Sequence, residues 1–277
     1  MRAARREKDF AIALELLSEA PPPLAWANLG DWSSAARYDD ACQALALRVG
    51  AAAALQAGDR VLDLACGHGA SLRLWPQAFG AHRVTGLEYQ ARCVERIRRH
   101  APAGLEAIVQ GRFDALPPPA VLPAGGFDAA VCVDAAYHAV SLHAFAAFAA
   151  QLLRSQGRLA FTTLLAPAPP AGRQHGPWRP LPFLLARAGI PPASVLCEAA
   201  LVEVLTEQGF TAITLQRLDV EVLQGFAAFV QRRRQVLSWR QQAGAGWLKI
   251  AATAWLCRHL HASGALHYCL VSATRRE

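Results

Sequence analysis

The run Val61-Leu62-Asp63-Leu64-Ala65-Cys66-Gly67-His68-Gly69 holds the residue types best suited to ligand chemistry. An apolar segment ends in two glycines two positions apart, and helical spacing resumes directly after them. Gly67 and Gly69 let the backbone approach a ligand with no Cβ in the way. The N-terminus of the following helix presents unpaired N–H groups. Asp63, just before the loop, is placed to accept hydrogen bonds from an ammonium group or from loop amides. Glu88 ends the next apolar run, 19 residues beyond Gly69. An acid at that place is set to hold both hydroxyls of a ribose. A dinucleotide fingerprint needs a third glycine at Leu72, so a pyrophosphate clamp is poorly supported.

These residues require strands and helices in alternation. The apolar pattern predicts strands at 60–65, 82–88, 107–110, 127–133 and 158–164, with helices at 69–78, 91–100 and 142–154 between them. That order is the signature of a doubly wound, mostly parallel sheet with a Rossmann-like α/β arrangement. A helix over 198–208, strands over 211–220 and 267–274, and a mostly helical stretch over 223–260 complete a seven-stranded sheet whose last strand runs antiparallel. Helical spacing at 3–19 and again from Asp39 or Asp40 to about Ala57 marks residues 1–57 as an N-terminal helical lid. Residues 58–165 form the binding core, the proline-rich 166–197 an inserted cap, and 198–277 the C-terminal part of the sheet.

The chain has 277 residues, of which 53% are hydrophobic and 18% charged, which excludes a disordered or fibrous class. The formal net charge is +7, from 28 basic and 21 acidic side chains. The arginines are scattered, and no nucleic-acid partner is expected from them. The 7 cysteines form no CxxC pair, as suits reduced thiols in a cytoplasm. No cluster of carboxylates and histidines has metal-ligand spacing, so no metal is expected. Ala135–Leu153 carries no charge, but its His138, Ser141, His143 and Gln151 mark it as a loop and buried helix rather than a membrane span.

Asp63–Gly69 together with Val84-Thr85-Gly86-Leu87-Glu88 resembles the class I S-adenosylmethionine-dependent methyltransferases. The likeness is to the branch that holds sterol, tocopherol, quinone and sugar O-methyltransferases. It extends through Asn28–Trp32 and Tyr38, Gly125–Ala130, and Leu152–Leu159, and so covers roughly residues 25–165. The resemblance implies S-adenosyl-L-methionine as cofactor, with S-adenosyl-L-homocysteine as product. Asp63, Ala65, Gly67 and Gly69 would surround its methionine part, Glu88 would bind the ribose, and Tyr89 would lie along the adenine. Tyr38 belongs to the same lid and would help enclose the cofactor. The family places an acid after the third strand near the adenine amine. Here Gln110-Gly111-Arg112-Phe113-Asp114 leaves two options, Arg112 in the acidic position or Asp114 after a slip, with Phe113 as an apolar wall.

Ligands of such sheets sit beyond the carboxyl ends of the strands. Asp134-Ala135-Ala136-Tyr137-His138 follows the fourth strand and should face the transferred methyl group. His138 is the candidate base or orienting residue, and Asp134 a candidate for the cofactor ammonium. Trp32, Tyr137, Trp178 and Phe183 are candidates for an apolar acceptor pocket. The reading is methyl transfer to an O or N atom, with C also possible, of an apolar or aromatic small molecule in secondary metabolism. A nucleic-acid or protein methyltransferase and a non-catalytic cofactor-binding scaffold are the alternatives. The Trp247–Leu260 segment admits peripheral membrane contact. The chain is expected as a monomer or homodimer.

Overall fold

The computed structural model describes residues 12–18, 21–168 and 181–277. Eight strands form one mixed sheet. They are β1 (Arg60–Leu64), β2 (Arg83–Glu88), β3 (Leu105–Gln110), β4 (Phe127–Cys132), β5 (Leu153–Ala166), β6 (Leu196–Cys197), β7 (Phe210–Arg217) and β8 (His267–Arg275). The helices are α1 (Tyr38–Ala52), α2 (Ala70–Phe79), α3 (Ala91–Arg99), α4 (Leu142–Leu152), α5 (Leu181–Ala188), α6 (Glu198–Glu207), α7 (Gly225–Val236), α8 (Trp239–Ala243) and α9 (Ala245–Ser263).

The strand order is β3-β2-β1-β4-β5-β8-β7. β1 to β5 are mutually parallel, and β8 inserts antiparallel between β5 and β7. Val61, Leu62 and Leu64 of β1 are fully buried, as a central strand covered on both faces must be. One core layer joins α1, α2, α7 and α9 to the sheet, and the other packs α4 and α6 on the opposite face through Phe145, Phe148, Leu201 and Leu205. The register sets Asp63 beside Gly86 on β2 and Val131 on β4. The carboxyl ends of β1, β2 and β4 therefore converge on the glycine loop.

The doubly wound architecture follows the sequence reading, with differences in detail. The helix expected at 3–19 falls largely on residues outside those described, and Leu14–Leu16 form one 3-10 turn. The next helix stops at Ala52, not about Ala57. The proline-rich stretch adds α5 and the two-residue β6, which pairs parallel with Leu165 and Ala166 of β5 and raises the strand count by one. The late helical stretch begins with a π-helical turn, Asp219–Gln224, before α7.

Candidate active site

The glycine loop joins β1 to α2 with three residues in the left-handed region: Ala65 (φ 62°), Gly67 (φ 56°) and Gly69 (φ 85°). Gly69 must be glycine on two counts, because a Cβ there would lie 2.7 Å from Ile97. At Gly67 a Cβ would meet no atom within 4 Å, so the loop is open on that side. The amides of Ala65 and Cys66 both donate to the Leu87 carbonyl, at 2.8 and 3.2 Å, which ties the loop to β2.

Glu88 is buried and clamps the same loop. Its Oε2 accepts from the Gly67 amide at 3.0 Å and its Oε1 from the Gln90 amide at 2.8 Å. Burial raises its pKa above the usual carboxylate value, and the Gln90, Gly67 and Tyr89 amides pull it back. Beside it, Tyr89, Gln110, Gly111 and Arg112 line an open cleft of about 410 Å3.

Asp63 faces the helical layer. Its Oδ2 accepts from the Trp75 indole at 2.8 Å, and the Ser71 side chain also bonds to the carboxyl. Burial, which outweighs those bonds, raises its pKa to about 6.

The Arg112 and Asp114 alternatives resolve into a pair. Arg112 Nε and Nη2 donate to the two oxygens of Asp114 at 2.8 and 2.7 Å, and the Val140 amide donates to Asp114 Oδ2 at 2.6 Å. The Asp114 side chain is only 1% exposed against 48% for Arg112, so the guanidinium lines the cleft and the carboxylate braces it from behind. Phe113 points to the other core, its ring edge-on to Phe145 at 5.8 Å.

After β4, Asp134 takes a left-handed conformation (φ 57°) that turns its carboxyl inward. Oδ2 accepts from the Leu29 amide at 2.7 Å, and Oδ1 accepts from the Tyr137 and Tyr268 hydroxyls at 2.7 and 2.8 Å. Its own amide donates to Thr162 Oγ1 at 2.7 Å. Burial raises its pKa to about 6 against the lowering effect of both tyrosines and the amide. The part-exposed His138 stands next in chain. Its Nδ1 lies 3.1 Å from the Gly189 carbonyl, which ties the β4 loop to the end of α5. A carbonyl only accepts, so Nδ1 carries the proton in this contact.

The lid candidates pack inward. Tyr38 is buried, and its hydroxyl donates to the Asn28 carbonyl at 2.9 Å. Trp32 stacks on Phe229 with centroids 4.4 Å apart, and its indole donates to the Leu29 carbonyl. Tyr38, Asn28, Leu29, Phe226 and Ile250 wall a largely apolar cavity of about 50 Å3. Phe183 is 66% exposed on α5, away from that cavity, and Trp178 lies outside the described residues.

The structure thus gathers Ala65, Gly67, Gly69, Glu88 and Tyr89 around one loop and cleft, and Asp134, Tyr137 and His138 around the end of β4. Sequence reasoning missed Tyr268 and Thr162, whose hydroxyls complete the Asp134 cluster from β8 and β5 and lie 2.9 Å apart. Among the described residues, no group of three or more His, Cys, Asp or Glu could hold a metal ion, and no helix is long and apolar enough to cross a membrane.

Comparison with solved structures gives close overall likeness at low identity. A geranyl diphosphate C-methyltransferase from Streptomyces coelicolor A3(2), in complex with Mg2+, geranyl diphosphate and S-adenosyl-L-homocysteine, superposes with a TM-score of 0.68 at 16% identity over 95% of this chain and 96% of that one. A mycolic acid cyclopropane synthase complexed with SAH gives 0.70 at 15% identity over 92% and 91%. The cyclase SpnF gives 0.65 at 18% over 92% and 88%. These likenesses show a common fold. No curated protein sequence matches the chain significantly. A family model described as a methyltransferase domain matches residues 35–215, well over half of the sequence, and the chain belongs to that methyltransferase family.

Proposed function

We propose that the chain is an S-adenosyl-L-methionine-dependent methyltransferase that acts on an apolar small molecule. The observation that carries this reading is the open face of the Gly67 loop, with Glu88 clamped behind it and the Tyr89–Arg112 cleft beside it. Such a cradle suits a nucleoside joined to a short polar chain: backbone amides and Glu88 for the hydroxyls, Tyr89 and the Arg112 plane for a flat base. The cofactor supplies, when bound, a methyl group activated on a sulfonium sulfur. The protein's part is to orient the acceptor, exclude water and hold a proton.

His138 Nε2 is the atom assigned to accept the acceptor's proton, because the Gly189 carbonyl holds the other nitrogen as the donor. The Asp134 cluster positions that loop and fastens the Leu29 segment over it, which keeps bulk water from the strand ends. The apolar acceptor is supported by Leu29, Phe226 and Ile250 around the cavity under Tyr38, which at about 50 Å3 must widen to admit it. The structural neighbour in complex with geranyl diphosphate points the same way. In this reading residues 1–57 are a lid, 58–165 the cofactor core, 166–197 a cap and 198–277 the closing part of the sheet. The 7 cysteines form no disulfide and all but Cys197 are buried, as fits a reducing cytoplasm.

A second reading, a cofactor-binding scaffold without transfer, is favoured by the Arg112 pair that occupies both Asp114 oxygens. Titration calorimetry with S-adenosylmethionine and S-adenosylhomocysteine tests the first reading. The expected result is micromolar binding of either, lost in Gly67→Val, whose side chain would enter the open face. No heat at millimolar ligand overturns it. Binding without turnover across a panel of apolar acceptors would shift the assignment to the scaffold.

A further inference from the structure

The charge of the chain is unevenly spread. Residues 222–276 hold eight of the 28 basic side chains and none of the 21 acidic ones. The remainder is close to balance, with 20 basic against 21 acidic. Nearly all of that basic segment up to β8 is the helical excursion α7–α8–α9.

α9 is also apolar on its outer side. Its inner face buries Trp247, Ile250, Ala254, Cys257 and Leu260 at helical spacing. A surface helix ordinarily turns charged and polar residues to water on the opposite face. Here the outward stripe runs Leu248, Ala252, Trp255, His259 and Ala262, flanked by the exposed Thr253 and Ser263, with Leu248 58% and Trp255 44% exposed and the Trp255 ring stacked on His259. Trp239 on α8, which packs on α9, is 74% exposed and lies under the Arg240 guanidinium at 5.4 Å. Val236, at the end of α7, is 70% exposed. The exposed Arg232, Arg234, Arg240 and Arg258 lie close to these residues in the chain, whereas Lys249 lines the cavity under Tyr38.

We propose that the outer face of α8 and α9 docks on an anionic lipid bilayer. Leu248, Trp239 and Trp255 would enter the headgroup and upper acyl region, where tryptophan rings are at home. The interspersed arginines would meet the lipid phosphates. A second copy fits the face less well, because a two-fold contact would set two basic patches against each other. Nucleic acid would use the arginines but has nothing to offer Leu248 and Val236.

The test is flotation of the full chain with vesicles of phosphatidylcholine alone or mixed equally with phosphatidylglycerol. The expected result is co-flotation with the anionic vesicles that weakens between about 0.05 M and about 0.5 M salt. The double variant Arg240→Glu, Arg258→Glu should lower the partition at least roughly 25-fold, about fivefold per arginine. Leu248→Ser with Trp255→Ser should lower it at both salt concentrations. Circular dichroism reports whether each variant keeps its fold. Quenching of wild-type tryptophan by brominated lipid gives the same answer without a variant and is expected to be strong. Absence of wild-type flotation with anionic vesicles at low salt overturns the proposal. So does equal flotation of the arginine variant, and so does binding of RNA, or self-association lost in Leu248→Ser, by protein that ignores vesicles.

Discussion

Replacing Asp63 by Asn separates what the side chain does for the fold from what it costs. The carboxyl is buried against the Trp75 indole and the Ser71 hydroxyl, and its pKa stands at about 6 instead of 3.8. Between about pH 4 and about pH 6 the folded chain therefore keeps a proton that the unfolded chain has released. Stability from this group is full below the lower value and is lost as pH rises through the higher one. The difference between 3.8 and about 6 is worth roughly 3 kcal/mol. An Asn in the same place keeps an oxygen for the indole N–H and turns its NH2 toward Ser71, so the bonds remain and the buried charge is gone. The indole and Ser71 bonds already act on the pKa of about 6, so that difference is the whole gap between a neutral amide and the ionised acid.

Asp63→Asn should therefore match the wild type near pH 4 and exceed it by roughly 3 kcal/mol near pH 7. Urea unfolding of both proteins across that pH range is the assay, and the difference between the two curves removes every other titrating group. Parallel curves would refute the argument from burial. The same variant tests whether Asp63 also meets the cofactor ammonium: a more stable protein that binds S-adenosylmethionine more weakly has traded function for stability.

Other substitutions probe the rest of the site. Glu88→Gln leaves one acceptor where two amides now bond; it should weaken cofactor binding by about tenfold or more in calorimetry. His138→Ala should leave cofactor affinity within about twofold and slow transfer by about a hundredfold, measured in single turnovers. Tyr268→Phe removes a hydroxyl from Asp134 and Thr162. Thermal or urea unfolding should show a loss of about 1–2 kcal/mol, with Asp134 harder still to ionise.

The strand and helix order was legible because each central strand is a short apolar run set between helical stretches. Glu88 and the glycine loop were legible for a related reason: a ligand-facing turn at a strand end needs particular residue types at fixed spacing. Contacts between distant segments left no such trace. Trp75 reads as one more apolar position of α2, yet it holds Asp63. Tyr268 reads as part of a buried strand, yet its hydroxyl crosses to Asp134. The Arg112 and Asp114 alternatives could not be separated by sequence because each residue is the other's partner. Tyr38 and Trp32 show aromatic character without direction, and the fold turns both toward Phe229. β6 is two residues long and carries no pattern of its own.

The position of β8 bears on how the chain assembles as it is made. Each of β2 to β5 pairs with a strand made before it, so the parallel half gains its contacts in the order of synthesis. β7 precedes β8 in the chain yet, among the described residues, pairs only with it, and the edge of β5 that β8 covers along Leu159–Leu165 has no other strand partner there. A nascent chain that has emerged through α9 thus presents a bare strand edge and an orphan strand together. Both are openings for pairing with another chain. A ribosome pause before His267 would lengthen that exposure, while swift passage through β8 would seal the sheet and complete the Asp134 cluster in one event.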